Sequence, residues 1–240
     1  TDVDRERRKK ASKAVAKFFE KHHEEIGQIY DDLVHARDNM AKKLGFKNYV
    51  ELGYMRLGRC DYNAEMVANY RKQVEKVLVP VWKKLYKRQM KRIHIRNPRF
   101  YDMGLNFLSG NPTPIGNPEY LVKQANEMYH EMSKETGEFF EYMVDNHMMD
   151  LIAKPGKQGG GYMTYLPDYK CPFIFSNFNG TSGDVDVLTH EFGHAYQGYC
   201  SRNIKVSSYR SPTLEACEIH SMSMEFFAHP YMDKFFDDDA

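Results

Sequence analysis

Cysteine is scarce in this chain: Cys60, Cys171, Cys200 and Cys217 are the four in 240 residues, with no CxxC spacing among them. That is too sparse for a disulfide framework and suits a reducing, cytoplasmic setting. Neither sign of charge is in excess. Lys plus Arg total 34 against 33 Asp plus Glu, a net charge of +1, which counts against a dedicated nucleic-acid binder. Long apolar runs are missing too. The longest, Val77 to Trp82, is broken by Pro80 and is far too short to cross a bilayer. The opening TDVDRERRKK lacks the apolar stretch of a signal peptide. There is no repeat and no low-complexity tract. Aromatic residues, by contrast, make up 14% of the chain, so it is expected to be ordered and to fill one large domain or two modest ones.

The first half reads as helix. Val15, Phe18, Phe19, Ile26, Ile29, Tyr30, Leu33 and Val34 recur every three or four positions with charge between them. The GFKNY stretch at Gly45 interrupts this pattern. Asp61 is the expected N-cap of a second long helix, which Pro80 should kink or end. Residues 97–118, dense in Pro, Gly and Asn, predict a loop that ends at Asn117–Pro118, an N-cap followed by N1. Helix should then run to about Met149, in two pieces around Ser133 to Gly137. The basic residues from Lys83 to Arg99 read as a solvated helix face, with a nucleic-acid surface as the alternative. Near residue 154 the character changes. Tyr162 to Leu166 and Pro172 to Phe178 are β-prone runs that predict a small antiparallel hairpin. Thr181, Ser182 and Asp184 should open a helix to about Tyr199, and Ser211–Pro212 a last one through Phe227. The expectation is a mainly α chain, with a helical region over 1–150 and a second region over 151–240 that holds the hairpin and the last two helices.

His190–Glu191–Phe192–Gly193–His194 is an HExxH sequence. Residues four apart on a helix differ by about 40° in azimuth, so both imidazoles can close on one ion. Glu191, about 100° round from His190, can reach a bound water without ligating the metal. Zn²⁺ suits neutral imidazole plus carboxylate, and a catalytic site needs a third protein ligand. PTLEACEIHSMSMEFF supplies it: Glu215 and Glu218 share roughly one helix face, and either could serve. Glu225, further along that face, could orient a ligating imidazole, and His220 and His229 are further donors. Phe192, Met222 and Met224 are assigned to helix packing.

The run GKQGGGYMTYLPDYKCPFIFSNFNGTSGDVDVLTHEFGHAYQ, with PTLEACEIHSMSMEFF after it, resembles the oligoendopeptidase F branch of the thimet-oligopeptidase family. The resemblance covers nearly the whole chain and is most specific in its last third. It implies a helical metallopeptidase fold with a small antiparallel hairpin beside the HExxH helix, one Zn²⁺, and cleavage of oligopeptides. It implies that His190 and His194 ligate the metal and that Glu191 is the general base. The family pattern E-x-x-S-x-x-x-E falls on Glu218, Ser221 and Glu225, which makes Glu218 the third ligand and Glu225 its neighbour behind the site. An exposed hairpin edge around Phe173 to Asn179 could take an extended peptide by strand addition, with Gly160, Gly161, Phe175, Ser176 and Asn177 as substrate-binding candidates. Family members are longer on both sides, and their C-terminal part supplies a histidine and tyrosines for the tetrahedral intermediate. The chain therefore resembles a segment whose partner is a C-terminal remainder; the alternative is a zinc- and peptide-binding fragment that does not turn over. In that setting Phe226, Phe227, Phe235 and Phe236 are expected to be exposed.

Overall fold

The structure, a computed structural model, describes residues 2–237. It divides into two compact units between Asn111 and Pro112, not at the change of composition near residue 154. The reason is that the helices following Pro118 share one hydrophobic core with the sheet and helices after them.

The first unit holds α1 (Arg5–Lys21), α2 (His23–Lys43), α3 (Tyr49–Arg56), α4 (Ala64–Gln73) and α5 (Val79–Arg92). Helix α1 is capped by Asp4, whose carboxylate accepts from the Glu6 and Arg7 amides. Gly45, at φ +85°, turns the chain out of α2 where a side chain would be strained. Helix α3 was not foreseen. The N-cap of α4 is Asn63, not Asp61, because the Asn63 side chain takes the Met66 amide at 3.0 Å. Pro80 does not end the helical run. It has no N–H, and its ring crowds the carbonyl four residues back; the chain widens into a π-helical turn over Val74–Leu78 and resumes as α5.

The buried apolar cluster of this unit is small: Met90, Ile93 and Leu105, with Tyr86 and Ile95 against it. The apolar stripe of α1 and α2 stands open, with Phe18 58% and Tyr30 69% exposed. The basic residues from Lys83 to Arg99 are all exposed. Polar contacts fix the N-terminus of α1. Arg8, itself buried, donates to the Tyr101, Asp2 and Val3 carbonyls and to Asp102. Arg5 makes a two-pronged pair with the same carboxylate at 3.0 and 2.8 Å.

The second unit begins with α6 (Pro118–Met132) and α7 (Lys134–Asp145). Asn117 caps α6 as the sequence predicts, accepting from the Tyr120 amide, and Ser133, at the expected break, caps α7, accepting from the Thr136 amide. The chain then forms β1 (Met149–Ile152), β2 (Tyr162–Leu166) and β3 (Cys171–Phe178). Helix α8 (Gly183–Ser201) lies on β3 and β2, and α9 (Cys217–Ala228) packs along α8. The hairpin β2–β3 is antiparallel, with Met163 opposite Ile174. Strand β1, at and just past the expected helix end near Met149, pairs parallel to β3, so the sheet order is β1-β3-β2. Strand β3 is therefore central and cannot be the edge that receives a peptide. Helix α9 starts at Cys217 rather than at Ser211–Pro212, because the Thr213 carbonyl first takes the Ala216 and Cys217 amides in a turn.

Phe192 of α8 anchors the core, its ring 3.9 Å from that of Tyr129 and 5.3 Å from that of Phe140. Phe235, expected to be exposed, is fully buried in this core, and Phe236 packs against it; Phe226 and Phe227 are exposed. Met224 is buried, but Met222 is exposed. Two glycines of α8 allow its close neighbours. A Cβ on Gly193 would lie 2.6 Å from the Ser221 Cα, and one on Gly198 would lie 3.1 Å from the Tyr165 ring.

Candidate metal centre

Helix α8 carries His190 and His194 on one face, one turn apart, with their Nε2 atoms 3.2 Å from each other. Gly193, between them on the α9 side, lets the α9 backbone come in at Ser221. That approach delivers Glu218, one turn earlier on α9. Its Oε2 lies 3.0 Å from His190 Nε2 and 3.4 Å from His194 Nε2. Among the described residues, His190, His194 and Glu218 are the group whose atoms converge closely enough to hold an ion. Glu215, the other candidate read from spacing, is not part of it.

The donors suit zinc by spacing and by protonation. Three ligands each about 2.0–2.2 Å from one tetrahedral ion stand about 3.3–3.6 Å apart, close to the separations seen. His190 Nδ1–H donates to Glu225 Oε1 at 2.6 Å, which leaves Nε2 bare as the ligand atom. His194 Nδ1 lies 3.0 Å from His220 Nε2; with the proton on His194 Nδ1, its Nε2 is bare too. Burial holds the His194 and His220 imidazoles below their ordinary pKa, towards the neutral form. The Ser221 hydroxyl, which donates to Glu218 Oε2 at 2.9 Å, holds that carboxyl below its ordinary range. A metal needs neutral imidazole and ionised carboxylate.

Glu191 turns inward beside this group and is 8% exposed. Burial pushes its pKa up, against opposing pulls from His190 and from the backbone N–H of Met163 on β2. A carboxylate raised towards neutrality is suited to exchanging protons. Two supporting residues were not assigned these places by spacing. His220 was read as a donor in its own right, and it stands behind His194 instead. Ser221, fully buried, was legible only as part of the E-x-x-S pattern. His229 lies away from the centre, exposed and stacked on Phe226.

The substrate-binding candidates fall in one place. Gly160, at φ +97°, and Gly161 lead into β2, and a Cβ on Gly161 would meet Val187 of α8 at 3.1 Å. Across from them on β3, Ser176 is buried and Phe175 stacks on Tyr162 at 5.0 Å. The Asn177 amide donates to the Gln158 and Gly160 carbonyls, at 2.8 Å each. These β3 residues brace the glycine loop and do not line an open edge.

The pattern of peptidase family M3 matches residues 115–238. The chromosomal oligoendopeptidase F of Lactococcus lactis subsp. cremoris is 28% identical over 119 residues, 47% of this chain and 20% of that protein. The oligopeptidase PepF of Bacillus subtilis (strain 168) is 25% identical over 89 residues, 37% of this chain and 13% of that protein. A solved structure of Pz peptidase A with an inhibitor has 57% identity and a TM-score of 0.95, covering 99% of this chain and 42% of that one. The chain thus spans about a fifth or less of these curated relatives.

Proposed function

Because the chain belongs to peptidase family M3, we propose that it carries the catalytic centre of a zinc-dependent oligoendopeptidase. The observation that supports this most directly is the convergence of His190, His194 and Glu218 beside the buried Glu191. The three would hold Zn²⁺, and the ion, when bound, supplies Lewis acidity and lowers the pKa of water at the site. Glu225 and His220 keep the two imidazoles in the tautomer that leaves Nε2 free. A carboxylate oxygen of Glu191 accepts the proton of the attacking water and hands it to the nitrogen of the departing amine.

An extended oligopeptide would pair with the outer edge of β2, not with β3. The Met163 amide supports this choice: its cross-strand partner Ile174 turns its own amide to Met148 on the β1 side, so Met163 faces its N–H away from β3. That N–H lowers the Glu191 pKa, which favours strand addition at that edge. The four cysteines are free, and we place the protein in the cytoplasm on that ground. Among the described residues, no helix is long and apolar enough to cross a membrane. The test is turnover of a quenched oligopeptide by the full-length protein, abolished by Glu191→Gln with zinc retained. A second reading has one observation in its favour, the 42% coverage of the solved relative: this stretch alone binds zinc and peptide, and turnover requires the remainder of the longer protein.

A further inference from the structure

Lys157 lies outside the HExxH motif and the ligand set, yet its side chain is only 7% exposed. Its place is a fault in the sheet. Between Asp150 and Ile152 the β1–β3 register slips, so that two steps along β1 face three along β3, from Phe175 to Phe178. The Lys157 ammonium sits at that bulge and donates to three main-chain carbonyls: Asp150 at 3.0 Å, Ile152 at 2.9 Å and Ser176 at 2.5 Å. An ammonium has three N–H donors, and all three are used. The Asp150 carboxylate at 3.2 Å and the Phe175 ring at 4.4 Å close the remaining sides.

Lys157 is also the first residue of the glycine loop. From it the chain runs through Gln158 and Gly160, whose carbonyls Asn177 holds, to Tyr162, where β2 begins. Asn177 is the next residue on β3 after Ser176, so one bulge grips the loop at both ends. On the peptidase reading above, in which β2 offers its outer edge to substrate, we propose that Lys157 is a positioning residue. Its ammonium, seated in the β1–β3 bulge, pins the glycine loop and so sets β2 against Glu191 for an extended peptide. Without it the Asp150, Ile152 and Ser176 carbonyls lose this donor and Asn177 is left as the side chain that grips the loop. The base and the metal ligands lie on α8 and α9, outside the loop that Lys157 pins, so the defect falls on substrate binding more than on chemistry.

The experiment uses the zinc-loaded full-length protein and a quenched oligopeptide. Lys157→Met should raise KM about tenfold, with kcat changed by no more than about threefold and zinc content unchanged. Lys157→Arg should behave like Lys157→Met, because a planar guanidinium cannot address three converging carbonyls; normal KM in this variant would assign Lys157 a mere charge effect and overturn the proposal. Unchanged KM in Lys157→Met would overturn it as well. Hydrogen exchange gives a readout independent of turnover. Amides of residues 158–166 should exchange faster in Lys157→Met while those of α8 and α9 do not; no change, or uniform acceleration, counts against the proposal. If Lys157→Met does not fold, Asn177→Ala, which cuts the other grip on the same loop, must show the same local exchange and the same KM effect. An inactive parent would sink the peptidase reading, and the exchange result would still decide the role of Lys157.

Discussion

At the scale of single residues, the site works by assigning each carboxylate a different neighbourhood. Glu218 is held below its ordinary pKa by the Ser221 hydroxyl and faces the Nε2 atoms of His190 and His194. Glu191 is buried and pushed towards the protonated form. Glu225 accepts from His190 on the side away from the ion site. On the proposed mechanism the same chemical group would thus serve as ligand, base and orienting acceptor. Zinc content should follow this division: Glu218→Ala should lose most bound zinc after mild dialysis, and Glu215→Ala should keep the parent's content, both read by elemental analysis. If the two results swap, Glu218 is not the ligand. Glu191→Gln preserves size but cannot accept a proton at neutral pH. It should retain zinc while kcat falls by about a hundredfold or more in the full-length protein; turnover at the parental rate would remove Glu191 from the base role.

At the scale of elements, the centre exists because α9 can lie against α8 closely enough for Glu218 to reach both histidines. Gly193 sets that distance. Its substitution by Ala would put a methyl 2.6 Å from the Ser221 Cα and 2.9 Å from the His220 carbonyl, contacts with backbone that no rotamer can relieve. The expected result is a loss of about 1–3 kcal/mol in stability together with weaker zinc binding, measured by denaturation and by competition with a chelator. Unchanged zinc affinity would mean that α9 is placed by other contacts. The HEFGH helix and its N-terminal boundary near Gly183 were legible because motif and helix periodicity agree there. Strand β1 was not. Helix periodicity carried the expected helix on to about Met149, past its real end at Asp145, and only pairing with β3 makes Met149 to Ile152 a strand. Missing β1 made β3 look like an edge. Likewise the Ser211–Pro212 signal was genuine helix-start chemistry, but the Thr213 turn captured the amides first.

A second element-scale contact carries a pH signature. Asp102 is fully buried. Burial alone would raise its pKa, but bonds from Arg5, the Arg99 amide and Arg8 outweigh it and hold the carboxyl at about 2, below its ordinary 3.8. A carboxyl depressed in the folded state stabilises the fold above its ordinary pKa, and that stability is lost as the pH falls through about 2. The contribution is at most about 2 kcal/mol. Denaturation of the parent and of Asp102→Asn should therefore differ at pH 5 and converge as the pH falls from about 4 to 2. A difference that persisted at pH 2 would mean that Asp102 acts through packing and not through its charge.

At the scale of the whole molecule, the open apolar surface and the length of the relatives point the same way. The stripes of α1 and α2 are uncovered, and on α9 Ile219 is 66%, Phe226 67% and Phe227 60% exposed. Apolar patches of this kind on a folded chain mark interaction surfaces or association. The solved relative at 57% identity is more than twice as long, since this chain covers 42% of it. The residues proposed as ligands, as base and as their orienting partners, His190, His194, Glu218, Glu191, Glu225 and His220, all lie in this chain. Groups that would donate to the oxyanion of a tetrahedral intermediate, beyond the metal, are not among the residues the site brings together. Removing one such donor from an enzyme commonly costs about 10²–10³ in kcat, and a more open site weakens every electrostatic contact within it. The 240-residue chain by itself should therefore bind zinc near stoichiometrically, self-associate in sedimentation experiments, and cleave a quenched oligopeptide at least about a hundredfold more slowly than the full-length protein. Adding the C-terminal remainder as a separate chain should raise turnover and disperse the aggregate. Full turnover by the isolated, monomeric chain would show that His190, Glu191, His194 and Glu218 suffice, and that the remainder serves selectivity rather than catalysis.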